Sequence, residues 1–286
     1  AEAKAAADAK SGMDASAHTL GIDVGGSSIK AAIVDSMRGA LISERVVVET
    51  PAGFAFSDIV GRLSDLSRSH PSAAAIGVGF PAAVRAGIVE SPPTAHEVQG
   101  WVGRDLAKAL RDAVGRKVVV ANDADCAGMA EIARLTEEER RGVVICLTLG
   151  TGVGSGLFVD GTLVPNSELG KLYLAESAEV AEQSGASRIK TEANLSWEEW
   201  ADRLNAYLAQ VDRLFLPSRV ILGGGISAEA GHFLPFLHMR CPVVAAQSGN
   251  DAGIIRAARA TLLSRSGGFS VVAFAYRTCP AEPPAN

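Results

Sequence analysis

One supersecondary unit occurs twice in this chain, and that recurrence limits the folds open to it. Residues 19–35 read TLGIDVGGSSIKAAIVD, and residues 147–160 read LTLGTGVGSGLFVD. Each places apolar residues at alternate positions, breaks at glycines and resumes, the pattern of strand, tight turn and strand. No residue-level repeat accompanies it, so the reading is of two related α/β lobes that face a cleft. Around the first unit, apolar runs at Ala74–Phe80 and Lys117–Val120 alternate with helical patterns near Phe54–Ser69, Gly103–Ala113 and Ala124–Leu135. Around the second come a polar loop at Ala175–Asn194, a helix at about Ser196–Leu214, a strand at Arg219–Leu222, a helix after Ser227 and a final helix at about Asn250–Leu263. Such alternation belongs to α/β sheets. The lobes are expected at residues 19–141 and 142–264, the last helix being a candidate to pack on the first lobe. Residues 1–18 read as a frayed, Ala-rich leader, and residues 265–286 as a tail without assignment.

Composition narrows the function. The chain is 48% hydrophobic but 5% aromatic, so aliphatic side chains fill its interior. Lys and Arg number 27 against 32 Asp and Glu, a net charge of −5 that favours neither nucleic-acid nor membrane-surface binding. Cys126, Cys146, Cys241 and Cys279 lack paired metal-ligand spacing, and the five histidines show none either, so no structural zinc is expected. With no apolar run near the roughly 20 residues of a membrane helix, the expectation is a soluble, cytoplasmic protein.

Three glycine turns carry the chemistry. In the first, Asp23 ends a strand, and Gly25 and Gly26 open a turn where a phosphate can approach backbone N–H groups. Ser27 and Ser28 add hydroxyl donors, and Asp23 suits Mg²⁺ held through water. An ordinary glycine hairpin explains the same residues. The Walker pattern fails because Ser27 follows Gly26, and the Rossmann pattern fails because Ile29–Val34 alternates like a strand. The second turn spaces Gly150, Gly152, Gly154 and Gly156 by two, baring one side of a strand and turn for an anion. The third, Gly223–Gly225, joins a strand to a helix and suits an adenine ring or a second phosphate, or close helix–strand packing.

The ordered set resembles the ROK group of sugar kinases, of the two-lobed actin/hexokinase (ribonuclease H-like) fold. It is most similar to the polyphosphate-using glucokinases and glucomannokinases. The resemblance spans roughly Leu20 to Leu263 and rests on GIDVGGSSIKAAIVD, VVVANDADCAGMAE, LTLGTGVGSGLFVDGTLVPNSELG, LSWEEW, ILGGGIS and NDAGIIRAA. It implies a kinase that moves a phosphoryl group from polyphosphate or ATP, with Mg²⁺, to the 6-hydroxyl of a hexose such as glucose, and it implies a homodimer. Lys30, Thr148 and Thr151 join the glycines as phosphate or nucleotide contacts. Asp123, after the Lys117–Val120 strand, is then the general base and Asn122 a hydroxyl ligand; from the residues alone, a helix N-cap is the favoured role of Asp123. Asp125 reads as a brace for that turn. Glu168 matches the family's sugar-binding glutamate, and Phe80-Pro81 its pocket lining.

Departures gather at the sugar. Lys171 replaces a histidine, Tyr173 a glutamate, and Thr94 stands nearest the slot of an asparagine. Lysine donates but cannot accept, so either the acceptor has changed or affinity has been lost. Three residues from Glu168, Lys171 is expected to pair with that carboxylate; Glu179 or Glu182 are candidates to restore an acceptor. Lys108, Arg111, Arg116 and Lys117, and Arg134, Arg140 and Arg141, are candidate tracks for a polyphosphate chain or ordinary solvated faces. A sugar or nucleotide sensor without turnover, and a kinase for another sugar, are the alternatives.

Overall fold

The structure is a computed structural model describing residues 18–93, 98–174, 179–249 and 251–263. Its first sheet holds β1 (His18–Val24), β2 (Ser28–Asp35), β3 (Ala40–Leu41), β4 (Val46–Glu49), β5 (Ala75–Phe80) and β8 (Lys117–Asn122) in the order β3-β2-β1-β5-β8, with β4 also on β2. A small hairpin joins β6 (Val84–Arg85) to β7 (Ile88–Val89). The second sheet holds β9 (Val143–Leu149), β10 (Val153–Val159), β11 (Thr162–Val164), β12 (Arg219–Gly223) and β13 (Val243–Ala245) in the order β11-β10-β9-β12-β13. In both sheets the strand that opens the unit pairs antiparallel with its successor and parallel with a strand that arrives after a helix. The duplicated strand–turn–strand pattern is therefore a duplicated sheet topology.

Helices cover both faces of each sheet. On the first, α1 (Phe56–Ser69) and α2 (Leu106–Val114) bury Ile59, Leu63, Leu106 and Leu110 against β1, β5 and β8. On the second, α6 (Trp197–Phe215) buries Trp200, Leu204, Leu208 and Val211 against Ile145, Leu147 and Leu149. Each of these side chains contributes about 1.5–3 kcal/mol by leaving water. Ser196 caps α6, and Glu199 closes a capping box, the physical reason LSWEEW starts a helix at that point. The alternate residues Val144 and Cys146 face the other way, onto α3 (Asp123–Ile132).

The last helix, α8 (Ala252–Leu263), packs on β1, β5 and β8 of the first sheet, and against α3. Gly21 and Gly77 make that approach possible: a Cβ on either would strike the backbone of Ile254 or Ala257. The loop expected at 175–194 contains two short helices, α4 (Ala181–Gly185) and α5 (Ser187–Glu192). The helix expected after Ser227 is a 3-10 turn, Gly225–Glu229, followed by the four-residue α7 (Ala230–Phe233). β13 and the β6–β7 hairpin were absent from the sequence reading because two or three residues carry no visible periodicity. Among the described residues, no helix is long and apolar enough to cross a membrane.

Candidate active site

Two cavities meet at Asp123. The larger, of about 580 Å³, lies between the sheets and is walled by Asp23 and Lys30, Thr148, the Gly223–Gly225 turn, and Gln247, Gly249 and Gly253 beside the start of α8. The smaller, of about 180 Å³, is walled by Gly25, Gly26, Pro81 and the Gly150–Gly154 stretch with Thr151. Asp123, Thr148 and Gly224 border both. All three glycine turns thus converge on one carboxylate.

Local structure explains why that carboxylate is available. Asn122, not Asp123, is the N-cap of α3: its Oδ1 accepts from Asp125 N–H at 2.9 Å, while its Nδ2 donates to Ala82 O at 3.0 Å. The cap role that competes for Asp123 is filled by its neighbour. The Asn122 amide, expected to reach a sugar hydroxyl, is correspondingly committed to the fold at its oxygen and at one N–H. Asp123 Oδ1 accepts from the adjacent Ala124 N–H, at 2.7 Å. Burial, then the Asp23 carboxylate, push the Asp123 carboxyl up to about 8, with smaller contributions from Glu168 and Asp125. Burial also raises Asp23, opposed by Lys30, whose Nζ lies 3.9 Å away. Asp125 is pushed up to about 7, by burial first and by Glu168 second.

The glycine runs divide by task. Gly150 and Gly225 open onto space, whereas a Cβ on Gly154 would meet Ala124 at 2.8 Å and one on Gly156 the Ala124 carbonyl oxygen at 3.3 Å. The later half of the second run therefore lets α3 lie directly on β10, a correction to the expectation that all four glycines bare an anion surface. Gly224 needs its own freedom, with φ at +87° and the Leu149 backbone against it. Ser27 and Ser28 shape the first turn, where Gly25 N–H reaches Ser28 O at 3.0 Å and Thr50 N–H reaches Ser27 O at 3.2 Å, but neither serine walls the two cavities.

The sugar-side expectations are revised most. Phe80 is fully buried, its ring 4.7 Å from Trp101 and 5.8 Å from Phe54, so it is an aromatic core residue and only Pro81 reaches the cavity. Lys171 pairs with Glu182 rather than Glu168. α4 carries Glu182 to it across a turn that no sequence spacing encodes. Glu168 is partly buried and its carboxyl raised by burial; Lys171 opposes that and Glu182 adds to it, so the three form one charged group. Tyr173 is 71% exposed and turns away from the cavities. Thr94 lies outside the described residues. Neither basic cluster borders the cavities: Arg116 caps the end of α1 through Ser67 and His70 carbonyls, Lys117 donates to Thr261 O, Arg140 to Leu135 O, and Lys108 pairs with Asp112.

Two site residues had no signal in the spacing. Glu131, buried on α3, accepts from Gln247 and Ser248 N–H at 3.0 and 2.8 Å and so sets the loop that leads into α8. Arg188 on α5 donates to the Thr151 carbonyl, and its backbone N–H to Gly150 O at 3.2 Å, fixing the second glycine turn. Both act through a segment distant in sequence.

The sequence model of the ROK family matches residues 19–168. A polyphosphate glucokinase of Mycobacterium tuberculosis (strain H37Rv) is 35% identical over 246 residues, 86% of this chain and 91% of that one. The chain belongs to the ROK family. A polyphosphate glucokinase of Mycobacterium leprae is 36% identical, covering 85% of this chain and 74% of its own. Among solved structures, an inorganic polyphosphate/ATP-glucomannokinase from Arthrobacter sp. strain KM matches with a TM-score of 0.79 at 37% identity, over 86% of this chain and 99% of that one. A ROK family glucokinase from Streptomyces griseus, in complex with glucose and AMPPNP, matches with a TM-score of 0.66 at 26% identity, over 84% and 98%. The fold of this ROK protein is that of the actin-like ATPases, and its paired sheets are that fold's signature.

Proposed function

We propose that this ROK protein transfers the terminal phosphoryl group of polyphosphate or ATP to the 6-hydroxyl of glucose, with one lobe built on each sheet; the boundary expected between residues 141 and 142 is crossed by α3, which packs on the second sheet, and by α8, which packs on the first. The observation that carries the reading is Asp123, a carboxylate at the meeting point of two cavities and relieved of capping by Asn122. Asp123 takes the proton of the attacking hydroxyl as the new O–P bond forms. The bridging P–O bond of the donor breaks, leaving ADP or a chain one phosphate shorter. Gly25, Gly26, Gly150, Gly152 and Gly223–Gly225, with Lys30, Thr148 and Thr151, would hold the donor by backbone N–H groups and a few polar side chains. Glu168 would accept from two sugar hydroxyls, with Pro81 and Asn122 beside it. Likeness to the polyphosphate-using relatives supports the choice of donor and acceptor.

The site suits Mg²⁺. The Asp23 carboxylate raises the cost of ionising Asp123, and a hydrated divalent cation held by one or two carboxylates would relieve it. When bound, it supplies neutralisation of charge on the transferred group. The protein is further proposed to be a cytoplasmic homodimer; a monomer in sedimentation velocity overturns the second part.

A coupled assay over a hexose panel, with ATP and with polyphosphate, tests the whole reading. Glucose 6-phosphate from wild type, and formation slowed roughly 10²-fold or more in Asp123→Asn, is the expected result; sugar binding without turnover on either donor would make this a sensor.

A further inference from the structure

We infer that Asp125 and Asn166 form a clasp that positions Glu168 for the acceptor, an assignment that rests on the kinase reading above. Asn166 lies between β11 and Glu168, and its backbone N–H donates to Asp125 Oδ2 at 2.9 Å. Its side chain holds the main chain of Val84 in both directions: Oδ1 accepts from Val84 N–H at 2.8 Å, and Nδ2 donates to Val84 O at 3.1 Å. Val84 belongs to the β6–β7 hairpin, and Asp125 to the first turn of α3, two residues after the proposed base. One residue therefore joins three elements far apart in sequence, and Glu168 is two residues away, at most about 7 Å of chain.

The segment is held on its other side too. Ser155 Oγ donates to Ser167 O at 2.7 Å and accepts from Leu169 N–H at 2.9 Å, so Glu168 is flanked by anchors to β10 and to the clasp. With its neighbours fixed, the carboxylate is held close enough to Asp123 to oppose its ionisation.

Two costs accompany the arrangement. Asn166 sits at φ +59°, in the left-handed region, which asparagine tolerates better than most residues but which still requires tertiary bonds to maintain. Asp125 is 3% exposed, and its Oδ1 has no hydrogen-bond partner among the described residues. A half-satisfied carboxylate in that position is unfavourable for folding, and Asn122 already caps the helix. The position is accounted for by what Oδ2 holds, the N–H of Asn166.

Steady-state kinetics on the full chain, varying glucose and donor separately, test this. Asn166→Gly keeps the left-handed backbone and removes both bonds to Val84; it should raise KM for glucose about tenfold, with KM for the donor within about twofold and kcat within about threefold. Asp125→Ala should do the same, while Asp125→Asn, whose amide oxygen still accepts from Asn166 N–H, should return KM to within about twofold of wild type. Asp125→Ala/Asn166→Gly should be no worse than the worse single variant, because one clasp is broken either way. If Asn166→Gly does not fold, Asn166→Asp, which keeps the acceptor and loses the donor, reads the same constant. Equal losses for both substrates, additive losses, or a lowered Tm with unchanged constants would reduce the pair to holding the fold and overturn the clasp. Wild-type turnover with unaltered variants overturns the clasp alone; wild type without turnover on any donor overturns the kinase reading, and the clasp with it.

Discussion

The two sides of Asp123 are built from different materials. On the proposed donor side the walls are largely backbone: Gly25-Gly26, Gly150–Gly152, Gly223–Gly225 and the start of α8, with Asp23 and Lys30 as charges. On the proposed acceptor side stand side chains brought from separate segments, Glu168, Lys171 and Glu182, with Asn166 bonded to Asp125 nearby. A backbone cradle asks of its sequence only that glycines remain, and it receives any phosphate chain of suitable reach. A side-chain constellation must keep each member, and one exchange, such as lysine for histidine, changes which hydroxyls it can serve. Lys171, one of the departures expected from the resemblance, stands on the second side, paired with Glu182.

The largest test of this division is Asp123→Asn, which belongs to both sides. It should lower kcat by roughly 10²-fold or more while far-UV circular dichroism and Tm stay near wild type, because Asn122 supplies the cap. Wild-type turnover in that variant would remove the base from the site. Next comes pH. With the Asp123 carboxyl pushed up to about 8, chiefly by burial, it is protonated below that pH and becomes a base above it, so kcat/KM should rise from pH 6 to 8 by about 50-fold. Since Asp23 raises Asp123 more than Glu168 does, Asp23→Asn should move that limb to lower pH further than Glu168→Gln. A flat profile, or the reverse order, breaks the account of the charges.

Gly253→Ala probes the donor side alone. The new Cβ would stand 2.8 Å from the Asp23 carboxyl carbon, forcing that flexible end to shift. The expected outcome is a donor KM raised about tenfold with glucose KM unchanged; an equal effect on both would show that the sides are not separable. Lys171→His probes the acceptor side alone. It releases Glu182 from the ion pair and adds an acceptor, so glucose KM should fall by about fivefold, near one good hydrogen bond. An unchanged constant would acquit Lys171. The smallest effect is expected at Lys108→Ala, where polyphosphate KM should stay within about twofold, because that lysine pairs with Asp112 on the outer face of α2. A large rise there would restore the basic track.

What the sequence determined by itself was whatever depends on local periodicity and on glycine. Alternation shows the strands of both units, the helical pattern from about Ser196 shows α6, and the glycine turns show the breaks between strands that the structure brings to one pair of cavities, each because the cause lies within a few residues of its effect. Five helices expected from the sequence begin and end within three residues of those observed. Only the tertiary structure decided the rest. It sent Phe80 to the aromatic core rather than the sugar, joined Lys171 to Glu182 rather than Glu168, used Arg116, Lys117 and Arg140 as caps, and placed Asn166 between Val84 and Asp125. Each of those outcomes is a choice among partners within reach. A charged or amide side chain takes the partner that burial and neighbouring strands bring to it, and neither is written in the spacing along the chain.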